Sequence, residues 1–243
     1  MTGRKRRKRR LCLSLFLVLS LLFVGVGVPE AEGEEQPEIV EEASKTPKET
    51  DVSKGILMLC NKEYRLPEGF EPADLRRIGE EYVAAPGSEH FLQREAAEAF
   101  ERMSDAARSE GIYLLMLSAY RDSEAQAVIY NNYSERLGAD FADSYAARPG
   151  HSEHETGLSC DIYEIKPNSP AYLWLLEHAH EFGYILRYPE GKEEITRYSF
   201  EAWHWRYVGP FLAKSVRLSG LTYEEYYQTY IQKWPAFVFF FFR

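Results

Sequence analysis

Residues 11–28, LCLSLFLVLSLLFVGVGV, are eighteen consecutive positions without a charge, and seven cations, RKRRKRR at 4–10, stand directly before them. At 1.5 Å per helical residue such a run measures about 27 Å, enough to cross a thin bilayer. The basic flank and the acidic Glu30 and Glu32 beyond it orient the crossing, with the N-terminus inside and the body exported. Eighteen residues exceed the roughly 7–15 of a secretory signal core, which favours an anchor over a signal peptide cut near Gly27 or Ala31. In both cases residues 1–29 stand apart from the fold. Residues 30–54 follow with nine acids, three lysines and no aromatic. That composition buries too little apolar surface to offset ordering entropy, so it reads as a solvated tether. An extracytoplasmic body, held to the membrane by its N-terminal helix or released by signal cleavage, is therefore expected to begin near residue 55.

Charge then excludes one class of function. The formal net charge is −9, yet the basic run holds seven of the 29 Lys and Arg residues. The rest of the chain carries 22 basic groups against 38 acidic ones, a net of −16. So acidic a body is no partner for nucleic acid, whose backbone is read by clustered cations. Cys60 and Cys160 are the only thiols of the exported part, and both sit in apolar runs. Two buried free thiols are expected in preference to one disulfide.

Residues 55–230 read as one α+β domain, a small antiparallel sheet with helices packed against it. Leu92, Ala96, Ala97, Phe100, Met103 and Ala107 recur at three- and four-residue steps, an amphipathic helix ended near Gly111. YLLMLSAY (113–120) has buried-strand length. Ser123 and Gln126 have capping-box spacing for a helix running to about Gly138. LSCDIYE (158–164) alternates, with Asp161 on its polar face. Ser169-Pro170 opens a helix that Gly183 stops, and Thr222 with Glu225 caps another. Tyr198 to Val208 has the aromatic richness of paired strands. The end, AFVFFFFR at 236–243, is too short to cross a membrane and falls in an aromatic tail, 231–243, with no assigned role.

Three segments concentrate polar groups that packing does not require: Ser118–Arg121, Gly150–Asp161 and Glu201–Arg206. His154, Asp161 and His204 would supply the three-ligand N2O set of a catalytic zinc, which leaves one position open. Gly157 permits the turn that brings residues seven apart together. Glu201, three residues before His204, is close enough to act as a general base, and Arg121 to stabilise an oxyanion. Singly, each residue has a structural reading: Asp161 as a salt-bridge partner, His204 as a core histidine, Glu201 as a surface carboxylate. His151 is an alternative ligand to His154. No HExxH and no GxSxG occurs, which excludes the zincin and serine-hydrolase patterns.

In order and spacing, SAYRDSEAQ (118–126), ARPGHSEHETGLSCDI (147–162) and EAWHWRYVG (201–209) closely resemble the signature blocks of VanY-type D-alanyl-D-alanine carboxypeptidases. The resemblance covers roughly residues 55–230. It implies that His154, Asp161 and His204 bind one Zn2+ per chain, that Glu201 is the base and that Arg121 stabilises the transition state. It places Ser152 and Gln126 around the substrate's terminal D-residue, although capping alone would also explain Gln126. Trp203 is expected to wall the pocket. The implied substrate is a peptidoglycan stem peptide, cut before its C-terminal D-alanine by a monomer. A catalytically silent zinc fold, an L,D-carboxypeptidase and a D,D-dipeptidase are the alternatives. Ser159-Cys160 stands where relatives usually have Ala-Val, a change too small to disturb a ligand.

Overall fold

A computed structural model describes residues 46–234 of the chain. The apolar run at 11–28, most of the tether and the phenylalanine-rich end lie outside the described residues. Among the described residues no helix is long and apolar enough to cross a membrane.

Four antiparallel strands form the central sheet. They are β5 (Met116–Ser118), β6 (Ser159–Ile162), β7 (Tyr184–Leu186) and β8 (His204–Tyr207), in the order β5-β6-β8-β7. Two small pairs precede it: β1 (Lys48–Glu49) runs parallel to β2 (Tyr64–Arg65), and β3 (Leu75–Arg77) antiparallel to β4 (Phe91–Gln93). Among the described residues seven α-helices accompany the strands: α1 (Arg94–Ser109), α2 (Ser123–Leu137), α3 (Ala139–Tyr145), α4 (Pro170–His178), α5 (Glu193–Thr196), α6 (Pro210–Ser219) and α7 (Tyr223–Tyr226). The α+β single domain expected from the sequence is what the chain forms.

The apolar stripe of α1 does what its spacing dictates. Ala96, Ala97, Phe100, Met103 and Ala107 are fully buried, each large side chain contributing roughly 1.5–3 kcal/mol by leaving water. Leu92 is buried too, but in β4, two residues before the helix begins. Ser169 caps α4 with Pro170 at its first position, and Thr222 with Glu225 forms a reciprocal capping box on α7. The α2–α3 pair is different. Its only fully buried side chains are Gln126 and Ala142, so this hairpin is held by few core contacts.

Four expectations need correction. The tether ends earlier than residue 54: Lys48 and Glu49 pair with Tyr64 and Arg65, Thr50 donates to the Leu59 carbonyl at 2.9 Å, and Lys54 is buried and donates to the Trp234 carbonyl at 2.6 Å. Polar composition hid this because the polar groups find backbone partners. At the other end the domain runs past residue 230, since Ile231 is fully buried. Within 113–120 only Met116–Ser118 is strand, and it is not buried on both faces, since Leu117 faces solvent. The stretch 198–203 is a turn and not a strand, with the Glu201 amide donating to Tyr188 and the His204 amide returning to Glu201. As expected, Cys60 and Cys160 are buried free thiols.

Candidate functional site

Sheet register explains how distant residues meet. Asp161 on β6 pairs directly with His204 on β8, and Ser118 on β5 pairs with Asp161. Opposed residues of antiparallel strands share a face, so His204 Nδ1 comes within 3.1 Å of Asp161 Oδ1. His154 arrives from a 3-10 turn, Glu153–Thr156, capped by Ser152 and closed by Gly157 in the left-handed region at φ +66°. A side chain there would be strained, and a Cβ would stand 3.0 Å from Leu75. The turn sets His154 Nε2 3.4 Å from Asp161 Oδ2. One donor atom each from His154, Asp161 and His204 lie within 4.8 Å of one another.

The second nitrogen of each imidazole faces the protein. His154 Nδ1 donates to the Ala119 carbonyl at 2.7 Å. His204 Nε2 faces Glu153 Oε2 at 3.5 Å and has no closer partner among the described residues. Such outer partners fix the tautomer and leave His154 Nε2 and His204 Nδ1 for a metal. Two imidazoles and a carboxylate, nearly excluded from water, fit a zinc ion.

Glu201 Oε2 lies 3.8 Å from His204 Nδ1. Burial pushes the Glu201 carboxyl up to about 7 against the opposing pull of His204. Burial would lower the His204 imidazole, but its bonds to Asp161 and Glu153 outweigh that and raise it to about 9. For Asp161, burial is outweighed by His154 and His204, and the carboxyl sits well below its ordinary range. Arg121 reaches the site from the end of β5. Its Nη1 donates to Ser118 Oγ at 2.7 Å and its Nε to Gln126 Oε1 at 3.2 Å, while Nη2 has no partner among the described residues.

All eight residues singled out in the sequence line one cavity of about 200 Å³, with Ser152 and Trp203 beside the triad, Glu201, Arg121 and Gln126. The capping role considered for Gln126 is taken by Asp122, whose Oδ1 accepts from the Ala125 amide at 2.8 Å. Gln126 is instead buried between Arg121 and the Ala147 carbonyl. His151 lies outside this cavity, its Nδ1 bonded to the Asn61 carbonyl at 2.7 Å.

Sequence reasoning missed the support beneath the site. Glu153 Oε1 accepts from Arg187 Nε and Arg206 Nη1, both at 2.8 Å, and Oε2 accepts from Ser159 Oγ at 3.0 Å. Arg187 also pairs with Glu224, and all four charged groups are buried. Ser159 thus has a bond to make where a smaller alanine would have none. The available signal was alternation: Arg206 shares the face of His204 on β8.

The family described as "VanY: D-alanyl-D-alanine carboxypeptidase" matches residues 89–210, the span that holds all eight. The putative carboxypeptidase YodJ of Bacillus subtilis is 39% identical over 183 residues, covering 71% of this chain and 67% of that protein. A D-alanyl-D-alanine carboxypeptidase of Enterococcus faecium is matched over 60% of its length. Among solved structures, the LdcB LD-carboxypeptidase superposes with a TM-score of 0.70 at 37% identity, over 75% of this chain and 90% of that one. The vancomycin resistance D,D-pentapeptidase VanY, a mutant in complex with Zn(II), gives 0.61 at 31% identity, over 70% and 97%. The chain belongs to the VanY-type D-alanyl-D-alanine carboxypeptidases, a family of peptidoglycan-active hydrolases.

Proposed function

We propose that this protein is an extracytoplasmic zinc carboxypeptidase that removes the C-terminal D-alanine of peptidoglycan stem peptides. The observation that carries the reading is the gathering of His154, Asp161 and His204 within 4.8 Å, with Glu201 3.8 Å from His204 in the same cavity as Arg121. The triad holds one zinc ion per chain; when bound, it supplies Lewis acidity that polarises the carbonyl and acidifies a water. Glu201 takes the proton of the attacking water and returns it to the departing D-alanine amine. A buried carboxylate beside the triad suits both transfers. Arg121 directs Nη2 at the developing oxyanion, held in place by Ser118 and Gln126. Ser152 and Trp203 border the terminal residue. Residues 1–29 anchor the enzyme to the membrane, 30–45 space it from the surface, and a monomer suffices because one chain supplies every group.

A silent zinc-binding fold has no use for both a base and a guanidinium beside the triad. A second reading, L,D-carboxypeptidase action on tetrapeptides, is favoured by the higher TM-score against LdcB than against VanY. The full chain is incubated with zinc and, in parallel, pentapeptide, tetrapeptide and D-Ala-D-Ala, and the products are weighed. Loss of one alanine from the pentapeptide alone supports the first reading, loss from the tetrapeptide the second. No cleavage of any substrate sinks both.

A further inference from the structure

Beside the catalytic cavity lies a second one of about 290 Å³, lined by Lys62, Arg148, Arg197, His151 and Asp143. The wall between them is one residue thick. Ala146 lines both cavities, Ser152 borders the catalytic one while His151 borders the other, and Tyr198 and Arg197 divide in the same way. The Lys62 ammonium stands 4.3 Å from the centre of the Tyr198 ring.

The cations of this cleft are unequal. Arg148 is spoken for, its Nε and Nη2 donating to the two oxygens of Asp143 at 2.7 and 2.6 Å. Asp143 also accepts from Tyr130 at 2.8 Å, so the one carboxylate lining the cleft is fully engaged. Arg197 is exposed, and its guanidinium makes no hydrogen bond or ion pair among the described residues. Lys62 is half-buried and donates to the Arg197 carbonyl. Burial and the neighbouring Arg197 lower the Lys62 pKa, and Asp143, shared with Arg148, offsets only part of that. His151 is held neutral by burial and adds no charge. Arg197 also sits in the left-handed region at φ +63°, ending α5 where glycine is the usual residue.

Resting on the peptidase reading above, we propose that this cleft is a second subsite, in which Arg197 and Lys62 bind a carboxylate carried by a side chain of the substrate peptide upstream of the scissile bond. The catalytic cavity, at about 200 Å³, has room for the terminal residue and little more. A longer peptide must lead out of it, and the path across Ala146 passes over Arg197 and Lys62, whose one neighbouring carboxylate, Asp143, is already bound by Arg148 and Tyr130. Electrostatic complementarity of this kind selects among peptides sharing the same reactive end.

The test uses the full chain and three peptides ending in D-Ala-D-Ala: one with an upstream side-chain carboxylate, one with that carboxylate amidated, and one amidated at the C-terminus instead. Cleavage is followed as kcat/KM, and binding of the matching product peptides is read separately by calorimetry. The carboxylate peptide should be favoured over its side-chain amide by about three- to tenfold at low salt, and less at high salt. Arg197→Gln should bring that ratio near one, and Arg197→Lys should restore most of it. The penalty for amidating the C-terminus should be the same in all three proteins. Equal binding of acid and amide by the unmodified protein overturns the subsite. So does an Arg197→Gln protein that loses the C-terminal penalty instead, since the cleft would then read the substrate's end. Binding preference without cleavage keeps the subsite and removes the peptidase reading; cleavage without preference does the reverse.

Discussion

Nε2 of His204 faces the Glu153 carboxylate at 3.5 Å, and that carboxylate is itself clamped at 2.8 Å by both Arg187 and Arg206. The site therefore sits on an ionic foundation without contact to water. Buried charges are expensive unless every member is paired and hydrogen-bonded. Here the carboxylate of Glu153 meets two guanidiniums, a serine hydroxyl and an imidazole, and Arg187 passes its second face to Glu224. The arrangement fixes which nitrogen of His204 looks toward Asp161.

Glu153→Gln keeps the shape of the side chain and deletes its charge. Arg187 keeps Glu224, but Arg206 loses its only acidic partner among the described residues. We expect a loss of about 3–5 kcal/mol in denaturant unfolding. Zinc affinity should fall about 10–100-fold in the folded fraction, the usual effect of losing a partner behind a ligand. Unchanged unfolding and unchanged metal titration would show that the clamp is idle.

The metal-free protein should have a characteristic pH profile. Burial would raise the Glu153 carboxyl, but Arg187 and Arg206 outweigh it and hold it well below its ordinary 4.5. Such a group stabilises the fold above pH 4.5, and that stability drains away as pH falls toward the depressed value. Asp161 acts in the same direction. Glu201, raised to about 7, binds its proton more tightly folded than unfolded, so stability falls as pH rises from 4.5 to 7. His204, raised to about 9, gives stability that is complete below pH 6.5 and lost as pH climbs through 9. His154 and His151, lowered by burial, gain stability as pH rises toward 6.5 and oppose Glu201 there. The thermal unfolding midpoint of the metal-free chain should therefore fall off below pH 4.5 and again as pH climbs from 6.5 to 9. Zinc should flatten the alkaline decline, because metal displaces the proton that His204 holds. A flat metal-free profile between pH 5 and 9 contradicts the assigned environments of Glu201 and His204.

The two roles in the triad region separate by substitution. Glu201→Gln should leave zinc content near one per chain and lower turnover by about 10²–10⁴-fold, since only the proton acceptor is gone. His204→Ala should lose metal and activity together. Atomic absorption on the purified variants, run beside the peptide assay, decides both. Full zinc occupancy in His204→Ala removes it from the ligand set, and normal turnover in Glu201→Gln removes it as base.

Where the sequence was readable, a local rule was enough. Alternation put Asp161 on the polar face of β6, Ser169-Pro170 and Thr222/Glu225 marked real caps, and Gly157 marked a real left-handed turn. What stayed hidden depended on partners far along the chain. Glu153, Arg187, Arg206 and Glu224 look like surface charges until tertiary structure pairs them 34 to 53 residues apart. Lys54 reads as tether because nothing local announces the Trp234 carbonyl 180 residues away. Ser152 and Glu155 did carry capping-box spacing, and the 3-10 turn that carries His154 was legible there.

Gln126 offers the sharpest choice between two readings of one residue. Family resemblance places it against the substrate, whereas its amide oxygen accepts from Arg121 Nε at 3.2 Å and its amide nitrogen donates to Ala147 at 2.8 Å. Both polar ends are committed within the protein, and on that geometry we propose that it positions the guanidinium. Removing the partner frees Arg121 to rotate on its bond to Ser118, and a displaced oxyanion donor costs turnover more than binding. Gln126→Ala should lower kcat by about tenfold or more with KM little changed and zinc content intact. Gln126→Glu should lower it further, because a carboxylate there draws the positive charge away from the oxyanion. Steady-state kinetics on a D-Ala-D-Ala-terminated peptide separates the cases. A rise in KM with kcat untouched would return Gln126 to direct substrate contact and leave Ser118 as the sole orienting partner of Arg121.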